Sequence, residues 1–292
     1  MQTPFDSQEV TRLIRLAVEE DLGGGDVTTA SAVPGDVRAR AAVVSRAEGV
    51  VAGLPLIEKV AAAFGPGVQV ELKAKDGDAV KAGETLAIIE GPAHVLLSAE
   101  RTVLNFLGRL SGIATLTRRF VEAAAGTTAR IYDTRKTTPG WRGLEKYAVR
   151  VGGGENHRMG LYDQVLIKDN HLAVMARQGK LLDDVVAEIR SRRSDLTIEV
   201  EADTEADVRS AVEAGVDLIL LDNMTPEALS AVVKLVGELA REKRPVLEAS
   251  GGVSLETVRA IARSGVDRIS VGQLTHSAPA LDLAVEIEDA AP

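Results

Sequence analysis

The segment 130–170 contains side chains whose types and spacing could do chemistry. It carries eight Lys or Arg residues against five acidic residues, although the whole chain has a formal net charge of -9 at pH 7. Its cations are Arg130, Arg135, Lys136, Arg142, Lys146, Arg150, Arg158 and Lys168. An acidic protein with a local cationic cluster is typically arranged to hold a small anion, because the rest of its surface repels a polyanion. A solvated basic face is the alternative for any single cation, since most charged side chains lie at the surface.

The position of three of these cations favours a binding site over a basic face. Arg135 and Lys136 follow the run 129–132, and Lys168 follows the apolar run 165–167. Proteins of the α/β class place their chemistry at the ends of buried strands. The sequence therefore predicts that these three cations lie at the rim of a sheet.

From about residue 129 the sequence alternates between candidate strands and candidate helices. The strands are predicted at 129–132, 164–168, 196–201, 217–221, 246–249 and 268–271, and the helices at 181–193, 205–214, 226–241 and 255–264. Successive strand–helix units build a parallel sheet, and the repeated Gly-Val-Asp at 215–217 and 265–267 supports a repeating architecture. No GxGxxG motif follows the first strand, so a TIM-like barrel is preferred over a doubly wound sheet.

The carboxyl ends of these candidate strands carry a one-sided set of polar residues. The set comprises Asp133, Arg135, Lys136, Lys168, Asp169, Asn170, Glu199, Glu201, Asp222, Asn223, Glu248, Ser250 and Gly272. In a βα-barrel this rim is where the active site is built. Glu199 and Glu201 share one face of their strand, and Glu201 lies nearer the rim. Capping of the following helix is the alternative role for Asp222.

Two glycine turns after the last two strands favour phosphate binding. Ser250-Gly251-Gly252 follows one strand and Gly272 follows the other, and these loops commonly bind phosphate in TIM barrels. His157 follows three glycines and is expected to form a hydrogen bond or to face a phosphate. A zinc site at His157 is disfavoured because no His or Cys stands at metal-ligand spacing. His171 and His276 are assigned structural roles.

The first part of the chain has a different pattern. A helix is predicted at 8–20, and alternating residues with two turns predict a small antiparallel β unit at 68–90. This unit resembles half of a lipoyl or biotin carrier domain, but a second half and a lysine at a hairpin tip are not evident. Another helix is predicted at 98–115, with Ser98 as its N-cap and Arg101 at its beginning.

Composition excludes several classes of protein and site. The chain has no cysteine, which rules out disulfides and cysteine nucleophiles or metal ligands. Net acidity and 3% aromatic residues argue against a nucleic-acid partner. The N-terminal residues include acids where a signal peptide has a basic segment, and no apolar run reaches the roughly 20 residues of a membrane helix. The expected location is cytoplasmic, without a membrane partner.

These features together ask for a substrate with several negative charges, at least one phosphate, and hydroxyl groups. Arginine side chains match planar carboxylates, whereas Glu201 and Asp222 can accept hydrogen bonds from hydroxyls. A phosphoribosyl donor with a carboxylated acceptor meets all three demands.

Several long motifs are spread over nearly the whole chain. They are EDLGGGD at 20–26 with TT at 28–29, AERT at 99–102, DTRKTTPG at 133–140, NHR at 156–158, IKDNH at 167–171, EVE at 199–201, LDN at 221–223, EASGG at 248–252 and LTHS at 274–277. Together they resemble the quinolinate phosphoribosyltransferase family, the decarboxylating enzymes of NAD synthesis. The resemblance implies an N-terminal α/β sandwich domain over 1–110, completed by 275–292, and an incomplete seven-stranded α/β barrel over 111–274.

The resemblance also implies substrates, partners and a metal. Phosphoribosyl pyrophosphate and quinolinate would give nicotinate mononucleotide, pyrophosphate and CO₂, with Mg²⁺ as cofactor. The implied assembly is a homodimer in which Arg101 is supplied to the neighbouring active site, with a hexamer as a further possibility. Two alternatives stay open: a related enzyme acting on nicotinate or another acceptor, which needs fewer carboxylate-binding cations, and a non-catalytic carrier or ligand-binding module.

Roles for single residues follow from the same resemblance. The residues implied to bind the carboxylates of quinolinate are Arg101, Arg135, Arg158 and Lys168. Phosphate groups of the donor would be bound by Lys136 and His157. The 5′-phosphate would be bound by Ser250, Gly251 and Gly272. Glu201 and Asp222 would hold the ribose hydroxyls and, indirectly, Mg²⁺. Lys136, Lys168, Glu201 and Asp222 are the implied catalytic residues.

Overall fold

A computed structural model describes residues 3–240 and 243–291 of the chain, with side chains described as far as residue 288 at the C-terminal end. Contacts between Cα atoms divide the chain into two compact units. The first unit comprises Met1–Arg118, Thr137–Gly153 and Leu274–Pro292, and the second comprises Arg119–Lys136 and Gly154–Gln273. The segment 137–153 thus groups with the first unit, whereas the predicted division had placed it with the barrel. The boundaries 1–110 and 111–274 themselves stay a prediction.

The described residues form helices and strands in the following order. They are α1 (Gln8–Leu22), α2 (Val27–Ala32), β1 (Arg38–Ser45), β2 (Gly49–Val50), α3 (Leu56–Phe64), β3 (Gln69–Leu72), β4 (Ala79–Val80), β5 (Thr85–Pro92), α4 (Ala93–Ala123), β6 (Arg130–Tyr132), α5 (Arg142–Val151), β7 (Val165–Ile167), α6 (Asp169–Arg177), α7 (Leu182–Arg192), β8 (Ile198–Ala202), α8 (Glu205–Glu213), β9 (Leu218–Asp222), α9 (Pro226–Leu239), β10 (Val246–Ser250), α10 (Val258–Arg263), β11 (Arg268–Ser270), α11 (Gln273–His276) and β12 (Leu283–Ala291).

The first unit contains an antiparallel sheet with the strand order β12-β1-β5-β3. Its central strands β1 and β5 carry the apolar residues that form a core, and Ala42, Val44, Ile88 and Ala284 are buried together there. The C-terminal strand β12 pairs with β1 along its length, so the end of the chain completes this sheet. The pairing of β3 with β5 confirms the antiparallel unit predicted at 68–90.

The second unit contains a six-stranded parallel sheet with the order β6-β11-β10-β9-β8-β7. All six strands predicted from the sequence are present, and the α/β class is confirmed. The resemblance implied seven strands. Next to β6 the described chain adds one parallel bridge, between Glu155 and Tyr132. Glu155 directly follows the glycines at 152–154. In the described residues the sheet therefore has six strands and this isolated bridge, not seven strands.

Helix α4 shows where the sequence prediction was wrong at a boundary. It begins at Ala93 rather than at Ser98, because residues 93–97 are helix-compatible and mostly buried, so the helix continues towards β5. Ser98 is not an N-cap; its hydroxyl donates to Asp26 Oδ2 at 2.9 Å, and Asp26 is itself the N-cap of α2. Helix α9 ends at Leu239, and Arg241, the predicted end, lies outside the described residues.

Helices α2, α5, α6 and α11 were not predicted. Two of them are short, and α5 and α6 lie within the polar segment 130–177. Among the helices that the structure describes, none combines the length and the apolar character that a membrane span needs.

Candidate active site

The parallel sheet brings the predicted site residues of the second unit to one edge. Lys168 follows β7, Glu201 lies in β8, Asp222 ends β9, Ser250 ends β10 with Gly251 after it, Arg135 and Lys136 follow β6, and Gly272 follows β11. Asp222 and Ser250 are register partners, so the ends of β9 and β10 are level. Because the strands are parallel, all these positions lie at the carboxyl edge, where barrel enzymes build their active sites.

Lys168 and Glu201 form an ion pair at this edge. The Nζ atom of Lys168 donates a hydrogen bond to Glu201 Oε2. The Lys168 side chain is 45% exposed and the Glu201 side chain only 10% exposed, so the carboxylate is held in the wall while the ammonium reaches solvent. The backbone N–H of Lys168 donates to His171 Nδ1 at 3.0 Å, which fixes the start of α6. This contact gives His171 the structural role that was predicted.

Two arginines of the edge repel each other. The pKa of Arg158 is lowered first by burial and then by the charge of Arg135, with Glu199 and Asp163 acting in the opposite direction. The Arg158 guanidinium donates from Nη1 to the carbonyl oxygen of Gln164 at 3.3 Å. Placing two guanidinium groups within each other's field is unfavourable unless an anion lies between them. The pair therefore suits a substrate with carboxylate groups.

Three carboxylates converge at the ends of β8 and β9. Glu201, Asp203 and Asp222 each offer an oxygen, and these atoms lie within 4.8 Å of one another. Burial raises the pKa of Asp203, and the charges of Glu201 and Asp222 raise it further. Hard oxygen ligands of this kind are those that Mg²⁺ prefers. Asp203 was not predicted as a site residue, although it directly follows β8 and continues the alternation of Glu199 and Glu201 by one step.

The turn after β10 requires glycine at position 251. Gly251 has φ +91°, and a Cβ added there would lie 2.1 Å from the side-chain oxygen Oδ1 of Asn223. Asn223 is itself in the left-handed region with φ 52°, and its backbone N–H donates to the carbonyl of Ser250 at 2.9 Å. The loops after β9 and β10 are thus interlocked, which leaves the backbone of the turn at the carboxyl edge.

Replacing Gly251 with alanine is expected to raise the KM for a phosphate-bearing substrate more than the KM for a carboxylate substrate, and to lower stability by about 1–3 kcal/mol. The reason is the contact with Asn223 added to the strain of a positive φ. Gly252→Ala is the matched control, because Gly252 also has a positive φ, +58°, but no atom within 4 Å of an added Cβ. Steady-state kinetics and denaturant unfolding measure both effects. Equal changes in KM and in stability for the two variants would contradict the contact between Gly251 and Asn223.

His157 lies in a buried cluster with two glutamates. Its Nε2 is 3.2 Å from Glu199 Oε2 and 3.4 Å from Glu248 Oε1, and the two glutamates have no exposed surface. Its backbone N–H donates to Asp133 Oδ1 at 2.9 Å, and Nδ1 accepts the backbone N–H of Arg158 at 2.7 Å. His157 was predicted to contact phosphate, but its ring nitrogens are engaged with the protein. Its side chain is only 7% exposed.

The pKa values of His157 and Glu199 are both raised, so this cluster holds its protons more tightly than the free side chains would. Burial lowers the pKa of His157, but hydrogen bonds to Glu199 and Glu248 and their charges outweigh it and raise the pKa to about 9. Burial also raises the pKa of Glu199, and the charge of Glu248 adds to it. The N–H of Arg158 at Nδ1 suits a neutral ring instead. Nδ1 therefore stays unprotonated, and the proton that the cluster retains is shared between Nε2 and the two carboxyl groups, because uncompensated buried carboxylates cost several kcal/mol.

The pKa of His157 predicts a dependence of stability on pH. Because the folded value of about 9 lies above the ordinary 6.5, the contribution is fully present below pH 6.5 and is lost as the pH rises through 9. The unfolding free energy should therefore fall over this window by on the order of 2 kcal/mol more than in a His157→Asn variant. Denaturant unfolding at about pH 6 and about pH 9.5 tests this. Parallel curves for the two proteins would contradict it.

Arg101 lies in the first unit, on α4, and is exposed. With Thr138 and Trp141 it lines a cavity of about 640 Å³. Glu145, which has no exposed surface, accepts hydrogen bonds from Arg109 Nη2 at 2.7 Å and from the Thr138 hydroxyl at 2.9 Å. The network holds Thr138, which belongs to the same motif as Arg135 and Lys136. Sequence reasoning did not identify Arg109 and Glu145.

A parallel α/β sheet whose carboxyl edge carries cations, carboxylates and a Ser-Gly-Gly turn defines a barrel-type enzyme for anionic, phosphate-bearing substrates. The chain belongs to the quinolinate phosphoribosyltransferase family, because the pattern for the C-terminal domain of "quinolinate phosphoribosyl transferase" matches residues 113–286 and that for the N-terminal domain matches residues 26–111.

Relatives and solved structures agree with this family. A "probable nicotinate-nucleotide pyrophosphorylase (carboxylating)" of Bacillus subtilis is 42% identical over 279 residues, covering 96% of this chain and 93% of the relative. A "quinolinate phosphoribosyltransferase (decarboxylating)" of Nicotiana tabacum is 39% identical over 289 residues, covering 94% and 81%. The structure of the nicotinate-nucleotide pyrophosphorylase from Francisella tularensis is similar, with a TM-score of 0.89, 34% identity and 98% coverage of both chains.

Proposed function

We propose that this chain transfers the phosphoribosyl group of phosphoribosyl pyrophosphate to quinolinate and releases CO₂. The products are nicotinate mononucleotide and pyrophosphate, an entry to NAD. The observation that carries this proposal is the proximity of Arg135 to Arg158 at the edge that also holds the pair of Lys168 with Glu201, and Asp222. The charges of these cations suit a diacid, and the carboxylates can accept hydrogen bonds from the hydroxyl groups of a sugar.

The binding of quinolinate is assigned to the cations of the edge. Arg135 and Arg158 have fork-shaped guanidinium groups that can each hold a planar carboxylate by two hydrogen bonds. Lys168 supplies a further charge, and Arg101 is proposed to reach the site from a neighbouring subunit. Binding would relieve the repulsion between the two arginines, so the free energy of that repulsion favours the complex.

The other residues of the edge are assigned to the binding of phosphoribosyl pyrophosphate. Ser250, Gly251 and Gly272 present the turns after β10 and β11, whose N–H groups suit the 5′-phosphate. Lys136 is proposed to bind the pyrophosphate. Glu201 and Asp222 would accept hydrogen bonds from the ribose hydroxyls. The phosphate contact predicted for His157 is kept only as a water-mediated one, because its ring faces Glu199 and Glu248 and its backbone N–H donates to Asp133.

Mg²⁺ is proposed as the cofactor, and the residues present fit it. Glu201, Asp203 and Asp222 offer convergent carboxylate oxygens, and an ion held by them directly or through water would neutralise the charge of pyrophosphate as it departs. Asp203 thus extends the predicted pair of ligands, Glu201 and Asp222.

The reaction follows from these charges. The bond from C1 of the ribose to pyrophosphate weakens while the carboxylates of Glu201 and Asp222 stabilise the positive charge that grows on the sugar. The pyridine nitrogen forms the new bond to C1 and becomes positively charged. The electron pair of the breaking ring–carboxylate bond is then stabilised at the ring carbon beside this nitrogen, CO₂ leaves, and a proton adds to that carbon. Lys168 is proposed to stabilise the ring anion.

A homodimer is proposed as the working assembly, with Arg101 of one subunit completing the site of the other. A hexamer built from such dimers is the larger alternative. The cytoplasmic location stays a prediction.

The function is tested by following the mononucleotide formed from quinolinate, phosphoribosyl pyrophosphate and Mg²⁺. We expect quinolinate to be used and nicotinate to be used poorly, because nicotinate has one carboxylate for a site with several cations. Faster turnover of nicotinate would favour the related enzyme instead. Absence of pyrophosphate and CO₂ with either acid would favour the carrier or ligand-binding alternative.

A further inference from the structure

The buried cluster of His157, Glu199 and Glu248 has more acceptors than donors. The cluster contains two carboxyl groups. Glu199 Oε1 and Glu248 Oε2 have no hydrogen-bond partner among the described residues, and Glu248 Oε1 has only the longer contact of 3.4 Å with His157 Nε2. An unpaired buried carboxylate costs several kcal/mol, so a structural role alone would favour apolar side chains here. The cost points to a function for these two acids.

Two chains of contacts lead from the glutamates to Arg158. In the first, Glu199 and Glu248 flank Nε2 of His157, and Nδ1 of the same ring accepts the backbone N–H of Arg158 at 2.7 Å. In the second, Glu199 Oε2 accepts from Gln164 Nε2 at 2.7 Å, and the carbonyl of Gln164 accepts from the Arg158 guanidinium at 3.3 Å. Both chains end on the residue that the proposed function assigns to quinolinate.

A metal ion is a less suitable occupant of this cluster than a proton. The three residues have ligand atoms within 4.8 Å of one another, as a metal site would. However, a metal-bound histidine nearly always donates from its other ring nitrogen. Here the other nitrogen, Nδ1, receives a backbone N–H, so Nε2 must carry the proton that the glutamates accept.

We propose that Glu199 and Glu248 are positioning residues for the acceptor substrate: they share the Nε2 proton of His157 and, through this ring and Gln164, hold Arg158 at the carboxyl edge of the sheet. The inference rests on the proposed role of Arg158. The groups that face His157 are Glu199 from β8, Glu248 from β10 and Asp133 after β6, and Arg268 of β11 acts on Glu199.

The test replaces each glutamate by its amide and separates the two substrates. Glu199→Gln and Glu248→Gln should each raise the KM for quinolinate roughly tenfold or more, because a guanidinium displaced by about 1 Å loses its geometry. The KM for phosphoribosyl pyrophosphate should change less than about twofold, since Ser250 and Gly251 are untouched. Glu213→Gln, an exposed acid on α8, is the control for the chemical change. Equal rises in both KM values, or no rise, would overturn the proposal.

A coupling measurement distinguishes positioning from general loss of structure. In the double variant Glu199→Gln with Arg158→Ala, the effects on quinolinate should not add, because the second change removes what the first positions. Additive effects would overturn the proposal. If the amide variants fail to fold, Gln164→Met replaces them, since Gln164 is only partly buried and links Glu199 to Arg158. It should raise the same KM, and an unchanged KM would overturn the proposal.

The outcome also separates this inference from the function on which it rests. If Arg158→Ala alone leaves the KM for quinolinate unchanged, the assignment of Arg158 fails, and the positioning role fails with it. If Arg158→Ala raises this KM but the glutamate and Gln164 variants do not, only the positioning role fails.

Discussion

Replacing Lys168 with methionine is expected to lower the rate of nucleotide formation by roughly 10²–10³-fold, the usual effect of removing one charged group that stabilises a transition state. Lys168 lies at the end of β7 with its ammonium on Glu201, and methionine keeps a similar length without charge. The loss has two parts: the ring anion loses its cation, and the nearly buried carboxylate of Glu201 loses its partner. The rate of nucleotide formation and the rate of CO₂ release, measured separately in single turnovers, check this result.

The comparison of these rates shows on which step of the reaction Lys168 acts. If Lys168 acts on the ring anion, CO₂ release should fall at least as much as pyrophosphate release. Lys180→Met is the matched control, because Lys180 is an exposed lysine of the same unit, paired with Glu188. Formation of the nucleotide at an unchanged rate by Lys168→Met would contradict the assigned role.

The arrangement of the edge could be predicted from sequence because parallel strands impose it. Once Lys168 and Asp222 are placed after apolar runs, the sheet alone brings them to one edge, whichever helices connect the strands. The alternation of Glu199 and Glu201 gave the correct face in the same way. The positions of residues at strand ends could therefore be predicted from the sequence. Contacts between side chains that lie far apart in the sequence could not.

The His157 cluster shows why the rest could not be predicted. Glu199 and Glu248 lie on β8 and β10, and no spacing in the sequence shows that both meet one histidine of the loop between α5 and β7. His157 was expected to face phosphate, whereas its ring turns towards the buried acids. Likewise, α4 begins at Ala93, five residues before the capping signal at Ser98, because most of residues 93–97 are buried.

The buried acid Glu199 and the cations Arg135 and Arg158 of the edge act on one another electrostatically. The cations Arg135 and Arg158 repel each other without substrate, and Glu199 of the cluster attracts Arg158 from the buried side. A substrate diacid would replace this internal compensation from the solvent side. Glu199 therefore reduces the cost of an empty cationic site, and the same charges make the site selective for an acceptor with two carboxylates.

Mixing two inactive variants, Arg101→Ala and Lys136→Ala, is expected to restore activity if the site is shared between subunits. Arg101 belongs to the first unit and Lys136 to the second. In a twofold dimer, a mixed pair would place both substitutions in one site and leave the other site with wild-type residues. Random exchange makes about half of the dimers mixed, so roughly one quarter of the wild-type activity should return.

Subunit exchange must be shown independently, because recovery depends on it. Tagged and untagged copies of the two variants, co-purified after mixing, give the fraction of mixed dimers, and the recovered rate should scale with this fraction. Mixing Arg135→Ala with Lys136→Ala is the matched control. Those two residues lie side by side after β6 and enter any site from the same subunit, so each site of a mixed dimer keeps one substitution and no activity should return. Absence of recovery in the first mixture, with exchange proven, would show that Arg101 serves its own subunit or neither site.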